Sequence, residues 1–221
     1  MLISKLKNLI LFMLKILIAD DHAIVRKGLK QVILEEYPSA VIGEAADAEA
    51  LLHQVIENEW NIVICDMNMP GRSGLDALNQ IKHAAPNLPV LIMSMYPEDQ
   101  YALRVLKAGA SGYLGKDHVH DDIIKAIQTL QLGKKYITPS VAEKLASTLG
   151  QDTTAQSHET LSDREFDVFK LLASGKSVSE IAAQLSLSAT TVSTYRSRIM
   201  EKMGIQSNAG LTRYALEKKL I

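Results

Sequence analysis

Four apolar runs in the first half of the chain stop at residues of a kind that handle phosphate. KILIAD ends at Asp20, with Asp21 next; NIVICD ends at Asp66, VLIMS at Ser94 and GYLGK at Lys116. A carboxylate can attack a phosphoryl group and form an acyl phosphate. Two anions must then approach each other, so the site needs cationic help. Mg²⁺ suits that task, because it prefers a few carboxylates plus waters and phosphate oxygens to a full protein cage. Asp20, Asp21 and Asp66 offer the carboxylates, Lys116 a point charge for a phosphate oxygen, and Ser94 a hydrogen bond to another. Beyond Asp66, Met69-Pro70-Gly71 reads as a sharp turn and Ser73 or Gly74 as the opening of a helix, which leaves the Asn68 backbone carbonyl to face a metal.

These residues are far apart in sequence, and the intervening pattern says what brings them together. Short apolar runs at 15–19, 41–45, 61–65, 90–94 and 112–114 alternate with amphipathic stretches at 23–36, 48–58, 74–84, 98–108 and 119–132. Strand then helix, five times over, predicts an α/β doubly wound five-stranded parallel sheet. Ligands of such a sheet bind beyond the carboxyl ends of its strands, where the five polar residues would meet.

After Gly133 the character changes. Thr138 to Leu149 continues as a helix opened by Pro139, and residues 150–160, GQDTTAQSHET, are polar and read as a flexible linker. From Leu161 the pattern is all helix. Ser162 with Glu165, and Ser177 with Glu180, form S-x-x-E capping boxes, and SLS separates the second capped helix from a third near Ala189. Two short helices joined by so tight a turn are a helix-turn-helix signature. In the third helix Val192, Ile199 and Met203 share one face, flanked by Tyr195 and Met200, which turns Ser193, Thr194, Ser197, Arg198 and Glu201 outward. Small hydroxyls beside cations suit a major groove. Ser193, Thr194 and Ser197 are therefore candidates for base edges, Arg198 and Lys202 for phosphates, and Arg196 stands nearer the buried border. On the last helix, near Asn208 to Leu220, Leu211, Tyr214, Ala215 and Leu216 form an apolar stripe.

Charge follows the same division. Residues 13–137 hold 12 Lys+Arg against 16 Asp+Glu, a net of -4, whereas residues 176–219 hold 7 against 3, a net of +4, within a chain of 221 residues and net charge -1. The single cysteine, Cys65, reads as a small buried strand residue, and with no second thiol a reducing, cytoplasmic setting is expected. LILFMLKILI near the N-terminus is too short for an anchor and lacks a small-residue cleavage site, so no membrane association is expected. Met13 is read as the start of the fold and residues 1–12 as a dispensable amphipathic extension. His118 and His120 lack a third ligand at convincing spacing and read as a solvated loop.

Residues 14–132 resemble the receiver domain of bacterial two-component response regulators, with Asp20 and Asp21 as the acidic pair, Asp66 as phosphoacceptor, Ser94 as switch hydroxyl, Tyr113 as switch aromatic and Lys116 as the family lysine. The resemblance implies a flavodoxin-like fold, Mg²⁺ held by Asp21, Asp66 and the Asn68 carbonyl, with Asp20 acting mostly through a bound water, and a sensor histidine kinase as phosphodonor. Residues 161–221 resemble the LuxR-type helix-turn-helix domain through Leu161, Arg164-Glu165, Gly175, Ile181-Ala182, Thr191-Val192, Lys202 and Gly204. Val178 departs from that pattern, where a polar residue is frequent. Together the two resemblances imply a NarL/FixJ-type regulator that binds double-stranded DNA and pairs as a homodimer partly through its last helix. The expected domains are an extension at 1–12, a receiver at 13–134, a linker at 135–160 and a small all-α helix-turn-helix domain at 161–221. A phosphohydrolase of the haloacid-dehalogenase type also uses an Asp nucleophile, but it wants an acid two residues on, where this chain has Asn68. No G-x-x-x-x-G-K-[ST] loop occurs either. The expectation is a regulator and not an enzyme, with Asn68 tuning the lifetime of the phosphoryl group; the alternative is a regulator that binds DNA without phosphorylation, its receiver used only for dimerisation.

Overall fold

The central strands are apolar without interruption, and only a sheet covered on both faces can bury such runs. In the computed structural model, which describes residues 13–69, 73–148 and 157–221, five parallel strands do so: β1 (Lys15–Ala19), β2 (Val41–Ala45), β3 (Ile62–Asp66), β4 (Val90–Ser94) and β5 (Gly112–Gly115). Their order is β2-β1-β3-β4-β5, so the chain reverses direction across the sheet between β1 and β3. The crossovers are α1 (Ala23–Glu36), α2 (Ala48–Glu57), α3 (Gly74–Ala84) and α4 (Glu98–Lys107), and α5 (Val119–Gln131) follows β5.

Alternation along the strands divides the core. Ile16, Ile18, Ile62, Ile64, Leu91 and Met93 point to one face and pack with Leu29 and Ile33 of α1 and with Ile123, Ala126, Ile127 and Leu130 of α5. The register aligns the functional strand ends: Ala19 lies beside Cys65, Asp66 beside Met93, and Ser94 beside Gly115. Cys65 is fully buried, as expected, and its burial pushes the thiol pKa up. Ser73 caps α3 in a reciprocal capping box with Asp76. Pro70 and Gly71 of the expected turn, and residues 1–12, lie outside the described residues.

Residues 135–141, expected to open the linker, pack on the sheet domain instead. Tyr136 forms a parallel bridge with Gly112, its amide donates to the Ser111 carbonyl at 2.8 Å, and its ring packs on the core. Gly112 permits this approach, since a Cβ there would lie 2.9 Å from both Tyr136 Cβ and its carbonyl oxygen. Glu98 at the start of α4 then accepts hydroxyl hydrogen bonds from Thr138 (2.6 Å) and Ser140 (3.2 Å), and α6 (Pro139–Thr148) follows with Val141 buried. An aromatic side chain and two hydroxyls with partners on the sheet domain are enough to extend it beyond the last amphipathic period.

The chain divides into two compact units between Ala146 and Ser147. The second contains a short 3₁₀ turn (Ser157–Thr160), α7 (Asp163–Ala173), α8 (Val178–Leu185), α9 (Ala189–Met203) and α10 (Asn208–Glu217). Its core is built from Phe166, Phe169, Leu172, Ile181, Val192, Ile199, Leu211 and Ala215, all buried. Both expected capping boxes are present, at Ser162–Glu165 and Ser177–Glu180. Between α8 and α9, Ser186 takes the left-handed conformation (φ 54°) that ends one helix so that Ser188 can cap the next.

Candidate phosphoryl pocket and nucleic-acid interface

Asp20 and Asp66 leave the carboxyl ends of β1 and β3 buried, and Lys116 arrives from the end of β5 to lie between them. Its Nζ donates to Asp20 Oδ2 at 2.7 Å and lies 3.0 Å from Asp66 Oδ2. The other oxygen of Asp20, Oδ1, accepts the His22 backbone N–H at 2.8 Å, so both oxygens of this fully buried carboxylate are engaged. Burial raises the Asp66 pKa, and although Lys116 and the Asn68 backbone N–H oppose that, the net shift is upward. For Lys116 burial acts to lower the pKa, and the hydrogen bonds and charges of Asp20 and Asp66 outweigh it, so the ammonium is held above its ordinary range.

Ligand atoms of Asp20, Asp21, His22 and Asp66 all lie within 4.8 Å of one another. Asp21 Oδ1 is shielded from solvent yet makes no hydrogen bond, although His22 Nδ1 stands 2.7 Å away. Three carboxylates with an orphaned oxygen form a hard, anionic donor set of the kind that fits Mg²⁺. Such an ion would act against the upward shift at Asp66 by adding positive charge. His22 was not among the expected metal residues. It follows the acidic pair directly, and only that adjacency marks it in the sequence.

Ser94 and Tyr113 are buried and share an intermediary that sequence reasoning missed. Ser94 Oγ accepts the Tyr96 backbone N–H at 3.0 Å, and the Tyr113 hydroxyl donates to the Tyr96 carbonyl at 2.7 Å. The Tyr96 ring in turn stacks on Tyr101 of α4, with centroids 4.6 Å apart. Both candidate switch residues therefore hold the backbone of Tyr96, one on each of its two flanking peptides, at the entrance to α4. No periodic signal could have marked Tyr96, because it acts through its backbone.

In the second unit, α9 buries Val192, Ile199 and Met203 and exposes Ser193, Thr194, Ser197 and Arg198 as its periodicity requires. The Thr194 and Ser197 hydroxyls donate to the carbonyls of Thr190 (3.0 Å) and Ser193 (3.2 Å), which leaves their lone pairs outward as acceptors. Arg196 is half-buried and its Nε donates to Asn208 Oδ1 at 2.9 Å. Lys202 is engaged internally: its Nζ lies 2.6 Å from Oε2 of Glu165, whose side chain is only 4% exposed. On α10, Leu211 and Ala215 are buried, Tyr214 is half-buried with its hydroxyl 2.8 Å from His158 Nδ1, and Leu216 is 59% exposed. Val178, the departure noted above, is half-buried as the first residue of α8. His118 ends a 3₁₀ turn and His120 lies in α5, so the backbone there is helical where a loop was expected; their side chains lie outside the described ones.

Comparison with known families matches residues 16–128 to the response regulator receiver domain and residues 159–215 to the bacterial regulatory proteins of the luxR family. The chain belongs to the NarL-type response regulators. Among similar curated relatives of this response regulator is the oxygen regulatory protein NreC of Staphylococcus carnosus (strain TM300), 35% identical over 215 residues that cover 94% of this chain and 99% of that protein. NreC of Staphylococcus aureus (strain MRSA252) matches to the same extent. Among solved structures, RcsB of Salmonella enterica serovar Typhimurium, bound to promoter rprA in the presence of phosphomimetic BeF3-, aligns with a TM-score of 0.60 at 28% identity, covering 91% of this chain and 98% of that one. A two-component response regulator RcsB–DNA complex aligns at 0.55 and 30% identity, covering 91% and 96%. Among the described residues of this regulator no helix is long and apolar enough to cross a membrane.

Proposed function

We propose that this response regulator stores a signal as a phosphoryl group on Asp66 and uses it to control DNA binding by α9. The observation that carries the reading is the Lys116 ammonium held between two buried strand-end carboxylates, Asp20 and Asp66. The phosphodonor is a phosphohistidine of a sensor kinase. An Asp66 oxygen attacks phosphorus, the P–N bond breaks, the imidazole leaves with a proton, and the product is an acyl phosphate. Asp21, Asp66 and the Asn68 carbonyl would hold Mg²⁺, with Asp20 acting through water, and the ion would supply the charge that lets the two anions meet. Lys116 then has a new phosphate oxygen to pair with, and Ser94 can turn its hydroxyl toward another.

Because Ser94 accepts the Tyr96 amide and Tyr113 donates to the Tyr96 carbonyl, turning Ser94 inward releases one of the two holds on the Tyr96 backbone and leaves the other to Tyr113. That loosens the entrance to α4 and reshapes the surface that follows it. Asn68, beside the acceptor, tunes how long the phosphoryl group lasts.

In the second unit the exposed Ser193, Thr194 and Ser197 meet base edges and Arg198 meets phosphate. Arg196 and Lys202 serve the backbone only when released from Asn208 and Glu165. The exposed Leu216 of α10 suits pairing of two copies, which doubles the number of base pairs read. Incubation with acetyl phosphate and Mg²⁺ is expected to put a base-labile phosphate on the wild type and none on Asp66→Ala, and to raise affinity for promoter DNA only in the former. Equal labelling of both proteins would refute the assignment of Asp66.

A further inference from the structure

The side-chain contact of Asp21 Oδ1 is local, to Nδ1 of the adjoining His22 at 2.7 Å, so the carboxylate is placed by the backbone of this short stretch. What holds that backbone is therefore what aims the carboxylate. Asp20 is where the chain leaves β1, and its backbone is held on both sides. The Asp20 N–H makes a last bond to the Ala45 carbonyl, at 3.2 Å. The Asp20 carbonyl has left the strand ladder, and the Arg26 guanidinium meets it, with Nη1 donating at 2.7 Å.

Arg26 sits on the first turn of α1 with its side chain only 15% exposed. Its Nε donates to Glu44 Oε2 at 3.3 Å, and Glu44 Oε1 accepts Lys30 Nζ at 3.2 Å. Glu44 is itself seated in β2, where it pairs with Ile18, and its carbonyl accepts Gln54 Nε2 at 3.0 Å. The planar fork is thus fixed from behind while its other arm points at the peptide between the two acids. Glu44 also offsets the cation, which would otherwise oppose a divalent ion nearby.

We propose that Arg26 is a positioning residue for the metal-binding carboxylates: braced by Glu44, it clamps the Asp20 carbonyl and so fixes the direction of the Asp21 carboxylate. A tether between α1 and β2 would need only the Arg26–Glu44 pair; the bond to the Asp20 carbonyl serves the pocket. The inference rests on the reading of Asp20, Asp21 and Asp66 as the metal carboxylates.

Metal binding by the unphosphorylated full chain tests it without reference to phosphorylation. Mn²⁺ is titrated and the free ion followed by electron paramagnetic resonance, with Mg²⁺ as competitor. Arg26→Met is expected to weaken Mg²⁺ about tenfold, equivalent to about 1.4 kcal/mol, and Arg26→Lys, which keeps a donor for the carbonyl, to recover most of that loss. Glu44→Gln removes the brace and is expected to weaken Mg²⁺ about threefold, with the double variant no worse than Arg26→Met because both act through one clamp. Should Arg26→Met fail to fold, Glu44→Gln decides. Unchanged metal affinity in the folded variants, with only the melting temperature lowered, would reduce Arg26 to a structural tether and overturn the proposal. Wild type that binds no competitive Mn²⁺ would overturn the metal reading with it, whereas wild type that binds metal but takes no phosphate on Asp66 would refute the phosphoacceptor reading alone.

Discussion

Lys202→Met separates the two tasks open to a cation on the recognition helix. The Glu165 carboxylate is 4% exposed and receives the Lys202 ammonium at 2.6 Å and the Ser162 N–H at 2.7 Å, both on Oε2. Methionine keeps the length of the side chain and removes the charge, leaving a buried carboxylate with Ser162 as its donor. Breaking a buried pair from one side costs about 3–5 kcal/mol. Here Lys202 is 41% exposed and water can replace part of the lost interaction, so the expected cost falls to about 1–2 kcal/mol. For a small helical unit each kcal/mol moves the melting temperature by roughly 4–8 °C. The transition of the second unit, followed by circular dichroism at 222 nm, should therefore fall by about 5–15 °C. Binding to duplex DNA supplies the second readout. A residue that neutralises one phosphate contributes about -0.9 to the slope of log Kobs against log salt. Arg198→Ala is expected to flatten the slope by about that amount, and Lys202→Met, measured below its melting transition, to leave it unchanged. A flattened slope with an undisturbed melting temperature in Lys202→Met would refute the assignment of this lysine to Glu165.

Acid should act on the same pair. Burial works to raise the Glu165 pKa, but Lys202 and Ser162 outweigh it and hold the carboxyl below its ordinary range. A depressed folded pKa contributes stability that is present above the unfolded value, roughly 4.3, and is lost as pH falls through the folded one. Chemical denaturation of the second unit at pH 7 and at pH 3 should show that loss in the wild type and much less of it in Lys202→Met. In the first unit, Gly74 begins α3 so close to β3 that an added Cβ would lie 2.1 Å from the Asp66 carbonyl oxygen. Gly74→Ala is expected to destabilise by about 1–3 kcal/mol and to slow labelling of Asp66 by acetyl phosphate, and wild-type stability and labelling would refute that contact. Tyr113→Phe deletes the hydroxyl that holds the Tyr96 carbonyl, at a cost of about 1 kcal/mol. It should label normally on Asp66 and lose much of the phosphorylation-dependent gain in DNA affinity, with an undiminished gain counting against the shared Tyr96 link.

The sequence by itself determined the elements and the strand ends. Burial on both faces demands unbroken apolar strands, and a helix against them demands its own period, so Asp20, Asp66, Ser94 and Lys116 could be located from the residues where those runs stop. The capping boxes at Ser162 and Ser177 were legible for the same reason: their partners lie three residues away and the geometry is local. Val192, Ile199 and Met203 likewise declared the buried side of α9 through spacing alone. Tertiary structure decided what depends on partners remote in sequence. Lys202 and Glu165 are 37 residues apart, and neither side chain carries a mark of its mate. The same holds for Arg196 on Asn208, for Thr138 and Ser140 on Glu98, and for Tyr136 against Gly112. Tyr96 and the Asp20 carbonyl act through backbone atoms that every residue possesses, so their roles exist only once Ser94, Tyr113 and Arg26 have been brought to them. Periodicity records which side of an element is buried, and the fold alone records which charge or peptide waits there.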